Sequence, residues 1–199
     1  CPPRQSDPGT EPIPFVDATV PNGSPGGGVS AHNWPRDAEG IPHRCAARVI
    51  LFDEEDRVLL VRGHDADKPE RSWWFTVGGG IETGENARQC ASRELFEETG
   101  IRLAPELLIG PIARRRAVFD FETVLARQDE EIFYARTHRQ QLSDSRWTEE
   151  EQRVIDEYRW WDIDDFEAQS RDCEFYPTRL VELLRICLAG WDGTTLVIE

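Results

Sequence analysis

The sequence predicts an α/β (α+β) sandwich, in which a mixed central sheet is covered by helices. Three observations carry that expectation. Strand-like runs occur before, between and after two helical patterns. Both helical patterns have recognisable start and stop residues. And 199 residues with 39% hydrophobic content can bury one sizeable core.

In chain order, residues 1–42 are rich in Pro, Gly, Ser and Asp, with "PNGSPGGGVS" as the extreme, and hold no sustained period of two or 3.6. They are expected to form a flexible arm ahead of a domain over 43–199, with Ile13 to Val16 able to dock as a short strand. "CAARVILF" and "RVLLVRG", separated by the turn "DEED", read as a hairpin. The polar loop "HDADKPERS" leads to "WWFTV", read as one strand that ends at Gly78, Gly79 and Gly80. A helix follows. Asn86 with Gln89 three residues on supplies an N-cap and its return contact, and Gly100 can stop the helix in the left-handed conformation. Further strands are expected around "ELLIGPIA", "AVFDFETVLA" and "EIFYARTH". Thr148 and Glu151 have capping-box spacing and would start a short helix, "TEEEQRVI". "EYRWWDI" reads as a strand, and "YPTRLVELLRICLAG" as an amphipathic helix that begins after Pro177 and stops at Gly190.

A net charge of −15 argues against binding nucleic acid or an anionic membrane, because the field of the whole protein repels either polyanion. An anionic ligand therefore needs local help. Cys1, Cys45, Cys90, Cys173 and Cys187 show no CxxC pairing and include an odd member, which suggests neither a zinc site nor a disulfide framework and fits a reducing cytoplasm. No apolar run approaches the roughly 18 residues that span a bilayer. The chain starts at Cys1 and contains no Met, so an initiator residue is expected upstream. A homodimer is left open.

The helix after the glycines gathers Glu94, Glu97 and Glu98 within one and a half turns, although like charges at neighbour spacing repel. At roughly 100° per residue, Ala87, Ala91, Glu94 and Glu98 fall on one narrow arc, flanked by Cys90 and Glu97 on one side and Leu95 on the other. Small residues on that arc imply close approach of other backbone, and carboxylates aimed at a packed surface need cations. Three hard oxygen donors without His or Cys favour Mg2+, with Mn2+ as the alternative, over zinc. Mg2+ commonly shares substrate phosphates, and the preceding glycines let backbone approach a ligand closely.

Gly79, five residues, Glu85, seven residues and then "RELFEETGI" reproduce the Nudix box, G-x5-E-x7-R-E-U-x-E-E-x-G-U, with Leu95 and Ile101 at the aliphatic positions. The chain thus resembles the Nudix hydrolases over about residues 43 to 190. Its flanks "VLLVRGHD", "WWFTVGGG", "RWWDIDDF" and "FYPTRLVELL" look like actinobacterial members. The resemblance implies a Nudix-type α/β/α sandwich and metal-dependent hydrolysis of a diphosphate bond in a nucleoside diphosphate linked to another moiety. It makes Glu94, Glu97, Glu98 and the Gly78 carbonyl metal ligands, has Arg93 orient a carboxylate, and has Glu85 support the loop and helix start. The general base stays open between Glu98 and a glutamate outside the box, where "TEEE" offers Glu149, Glu150 and Glu151.

Other residues extend the expected substrate site. Arg62 ends a strand facing the loop before the box, where it can contact a phosphate or base or simply be exposed. Trp73 and Trp74 point to opposite faces of a strand, so one packs in the core while the other, assigned as Trp74, can stack on a base; packing of both is the alternative. Arg114, Arg115 and Arg116 alternate, so at most two share a face. For the substrate, relatives often carry Pro where Val77 stands. Ala117 replaces the proline that ADP-ribose hydrolases tend to have, and Phe119 is the nearest aromatic to the tyrosine of dinucleoside polyphosphate hydrolases. This leaves a small-molecule nucleotide, with nucleoside triphosphates, including oxidised ones, as the default. The alternatives are an ADP-ribose or nucleotide-sugar pyrophosphatase, or a Nudix-like module that senses a nucleotide without cleaving it.

Overall fold

A computed structural model of the chain describes residues 19–20, 34–64, 70–121, 124–142, 155–169 and 173–198. The centre of its mixed sheet is β2 (His43–Phe52). The alternation of that strand feeds two cores: Ala47, Val49 and Leu51 enter one apolar layer, Ile50 and Phe52 the other. β3 (Val58–His64) returns antiparallel to β2 across a turn held by Asp53, whose Oδ1 accepts the amides of Glu55 and Arg57.

"WWFTV" is not one strand. β4 (Ser72–Phe75) pairs with β3, whereas β5 (Val77–Gly80) pairs antiparallel with β2, so the chain changes partner at Thr76. The glycines therefore belong to the sheet, and close packing requires them: a Cβ on Gly78, at a φ of 145°, would overlap the Ala47 carbonyl oxygen. α1 (Ala87–Thr99) follows and covers the first apolar layer with Cys90, Ala91 and Leu95.

The three strand-like runs beyond α1 form two long strands, β6 (Ile109–Phe121) and β7 (Val124–Arg136), paired antiparallel. "AVFDFETVLA" bridges the point where one strand ends and the next begins, which its unbroken apolar texture conceals. β7 runs parallel to β2 over ten residue pairs, His43 to Phe52 against Arg127 to Arg136.

β8 (Ile155–Trp161) pairs with β3. α2 (Ile163–Gln169) and β9 (Glu174–Tyr176) were not expected; β9 is parallel to β4. α3 (Leu180–Ala189) is the expected C-terminal helix and buries Leu180, Leu183, Leu184 and Cys187 in the second layer. β10 (Leu196–Ile198) and β1 (Thr19–Val20) both run parallel to β6, at Ala113–Arg115 and Val118–Phe119.

The expected docking of Ile13 to Val16, and "TEEEQRVI" before Ile155, lie outside the described residues. Part of the expected arm is folded onto the domain. Trp34 is buried with the Arg44 guanidinium 4.2 Å above its ring, and Arg127 pairs with Asp37 and Glu39. Helices on both faces of a mixed sheet give the α/β sandwich that the sequence predicts.

Candidate functional site

α1 is built as its sequence dictates. The Asn86 side chain accepts the Gln89 amide at 3.0 Å while Gln89 Oε1 accepts the Asn86 amide at 2.9 Å, closing a capping box. Gly100 ends the helix at a φ of 78°, its amide donating to the Phe96 carbonyl. The Tyr158 hydroxyl donates to the Glu98 carbonyl from β8. These contacts fix the rotation of the helix and turn Glu94 and Glu98 toward β5.

Both carboxylates are buried, Glu98 at 1% exposure and Glu94 at 6%. Glu98 Oε2 accepts the Gly78 amide at 3.1 Å. Glu94 lies so close to β5 that a Cβ on Gly79 would stand 2.5 Å from its Oε1. Arg93 joins the remaining pieces. Its Nη1 donates to Glu94 Oε1 and Glu97 Oε2, both at 2.8 Å; Nε and Nη2 hold Glu85 at 2.9 and 3.0 Å; and Nη2 also reaches the Gly80 carbonyl at 2.9 Å. One guanidinium thus ties the helix, the loop ahead of it and the end of β5 together.

Burial works against the Arg93 charge, but hydrogen bonds with Glu85 and the adjoining Glu94 and Glu97 carboxylates hold its pKa well above the ordinary guanidinium value. Burial likewise opposes ionisation of Glu85, yet bonds from Arg93 and the Glu82 amide leave its pKa below the usual carboxyl value. The neighbouring Cys90 thiol is pushed up to about 12 by burial and by Glu94 and Glu85, so it is a packing group and not a thiolate ligand.

The donor set is therefore all oxygen, which suits Mg2+ or Mn2+. Among the described residues no three Asp, Glu, His or Cys side chains converge into a ready-made cage. Glu94 and Glu97 share Arg93 Nη1, so a divalent ion would compete with that nitrogen for their oxygens.

The other sequence-selected residues that the structure describes make contacts of their own. Trp74 is 4% exposed and meets Trp161 edge to face at 4.9 Å in the second layer, while Trp73 packs in the first; a ring enclosed in this way presents no open face to a base. Arg62 turns its guanidinium to Ser72 Oγ at 3.2 Å. Glu150, with Glu149 and Glu151, lies outside the described residues. Arg114 and Arg116 pair with Glu131 and Asp129 on one face, and Arg115 enters the other face, buried against Glu130 at 2.9 Å.

A buried polar group escaped the sequence reading. Arg48, Thr76, Arg115, Gln128 and Glu130 are all below 5% exposure. The signal was an arginine in the middle of the apolar run "CAARVILF", which alternation alone assigns to a packed face.

A family model, the NUDIX domain, matches residues 42–179. The RNA pyrophosphohydrolase of Dinoroseobacter shibae is 42% identical over 67 residues, which are 34% of this chain and 40% of that protein. That of Sphingopyxis alaskensis is 36% identical over 86 residues, 43% of this chain and 51% of that protein. The chain thus spans about half or less of the length of these curated relatives. Among solved structures, a NUDIX hydrolase from Nitrosomonas europaea superposes with a TM-score of 0.52 at 22% identity, covering 74% of this chain and 89% of that one. An ADP-ribose pyrophosphatase from Streptococcus suis gives 0.52 at 16% identity, covering 78% and 98%. These likenesses concern the fold; the domain match takes in the glycine strand, the capped helix and the Arg93 carboxylate cluster in one continuous stretch. On that match this chain belongs to the NUDIX family.

Proposed function

We propose that the chain is a divalent-metal-dependent pyrophosphohydrolase acting on a nucleoside diphosphate linked to another moiety, with nucleoside triphosphates, including oxidised ones, as the leading substrates. The observation that carries this reading is the gathering of the five charged residues that the box specifies, Glu85, Arg93, Glu94, Glu97 and Glu98, beside β5. Relatives named RNA pyrophosphohydrolases support the same class of bond.

In this reading Glu94, Glu97, Glu98 and the Gly78 carbonyl would hold Mg2+ or Mn2+. When bound, the ion offsets phosphate charge and lowers the pKa of the attacking water. The chain's own residues do the rest. Arg93 orients Glu94 and Glu97, Glu85 fixes Arg93, and Glu98, held by the Gly78 amide, is placed to act as ligand or proton acceptor. Glu150 is the competing acceptor.

No helix among the described residues is long and apolar enough to cross a membrane. The compartment is proposed as the cytoplasm on the spacing and odd number of the cysteines in the sequence.

The test is a phosphate and pyrophosphate release screen with Mg2+ or Mn2+. It would cover nucleoside triphosphates, oxidised nucleotides, ADP-ribose, nucleotide sugars, dinucleoside polyphosphates and a 5′-triphosphorylated oligoribonucleotide. Release from at least one nucleotide is expected. Silence across the panel from folded protein would instead favour the nucleotide-sensing module.

A further inference from the structure

We propose that Arg48 is a positioning residue for the Gly78–Glu98 contact and acts from the opposite face of the sheet through the Thr76 carbonyl. The inference rests on the metal-binding role given above to Glu98. Arg48 lies on β2 directly across from Gly78 on β5. Its side chain is 4% exposed on the α3 side of the sheet, whereas α1 and its glutamates lie on the other.

Arg48 holds β5 at two points. Its stem fills the space a side chain at Gly78 would need, Cγ standing 2.9 Å from where that Cβ would be. Its head donates from Nη1 to the Thr76 carbonyl at 2.9 Å and from Nε to Glu130 Oε1 at 2.8 Å. Thr76 is where the chain leaves β3 for β2, and two residues later the Gly78 amide holds Glu98. Glu130 is itself fixed by Arg115 Nη1 at 2.9 Å and by the Gln128 amide nitrogen. The result is a buried line, Arg115–Glu130–Arg48–Thr76, that ends two residues before the glycine whose amide orients Glu98.

This geometry needs a guanidinium. Two separate nitrogens must reach a carboxylate on β7 and a carbonyl at the β4–β5 junction, which a planar fork does and a single ammonium does not. A simpler role, in which Arg48 serves only as a counter-charge to Glu94 and Glu98, makes the opposite prediction. Removing a positive charge near the glutamates would then strengthen their hold on a cation.

Arg48→Met separates the two. In the full chain without metal, hydrogen exchange at the Gly78 amide should accelerate about tenfold or more, with β3–β8 amides unchanged. Mn2+ binding, read by calorimetry, should weaken by about tenfold or more, the scale for losing an outer support of a metal ligand. Turnover should fall through kcat more than through KM. Arg48→Lys keeps stem and charge but cannot make both bonds, so it should move the same readouts in the same direction, and it stands in if the Met variant does not fold. Unchanged Gly78 exchange with unchanged or tighter Mn2+ binding in Arg48→Met would overturn the proposal, as would wild-type behaviour of Arg48→Lys. If the wild-type protein hydrolyses nothing yet both variants loosen Gly78 and Mn2+, the hydrolase reading fails and the positioning role stands. An active enzyme whose variants leave both readouts unmoved rejects the positioning role alone.

Discussion

At the scale of single residues, Glu98 carries the sharpest expectation. Its carboxylate is buried and anchored by the Gly78 amide, and a glutamine can keep that anchor through its own side-chain oxygen. Glu98→Gln should therefore fold normally while kcat drops at least about 100-fold, the scale for losing a metal ligand or base. Thermal unfolding and steady-state rates check both halves, and near-normal turnover would defeat the assignment. Gly79→Ala tests the neighbouring contact: its new Cβ would stand 2.5 Å from Glu94 Oε1, so the carboxylate must move. Mn2+ binding should weaken by about tenfold; an unaltered dissociation constant would show that Glu94 is not needed where it stands. The resemblance to the box points to Arg93 and Glu85, and their contacts with one another and with Glu94 and Glu97 agree with the positions it singles out. Arg48 was not legible in the sequence, because an arginine within an apolar strand is identified only by partners on β7 and at Thr76 that are remote in sequence.

At the scale of elements, α1 was legible to the residue because its signals are local: a capping box at Asn86 and Gln89 and a left-handed glycine at Gly100. Asn86→Ala removes the acceptor for the Gln89 amide and should cost about 1 kcal/mol of stability. Urea unfolding would measure it, and an unmoved midpoint would mean that packing alone sets the helix start. The strands were less legible for a physical reason. A strand's residues declare its pattern but not its partner, so nothing in "WWFTV" marks Thr76 as the point where pairing passes from β3 to β2. "AVFDFETVLA" hides the junction of β6 and β7 in the same way, since apolar residues continue on both sides of it. Trp74 is a related case: alternation separates Trp73 from Trp74, but does not say that Trp74 takes the layer away from α1, where Trp161 packs against its ring.

At the scale of the whole molecule, a chain of net charge −15 places two arginines around one carboxylate inside its second layer, and that arrangement couples folding to pH. Burial opposes ionisation of Glu130, but the charges and hydrogen bonds of Arg48 and Arg115 outweigh it and bring its pKa from 4.5 to about 2. A carboxyl whose folded pKa is depressed binds protons more readily when unfolded. Its contribution to stability is complete above pH 4.5 and is lost as pH falls toward 2. Other carboxyls, Glu85 among them, are also depressed, so acid sensitivity of the wild-type protein alone would not single out Glu130. The comparison with Glu130→Gln does. That variant leaves two buried guanidinium groups facing a neutral amide and should lose on the order of 3 kcal/mol at neutral pH. Urea unfolding at steps from pH 7 to pH 3 should show the gap between the two proteins constant down to about pH 4.5 and narrowing below it, because protonation progressively imposes on the wild type what the substitution has already done. A gap that stays the same across that range would mean that Glu130 supports the fold through shape and not through charge.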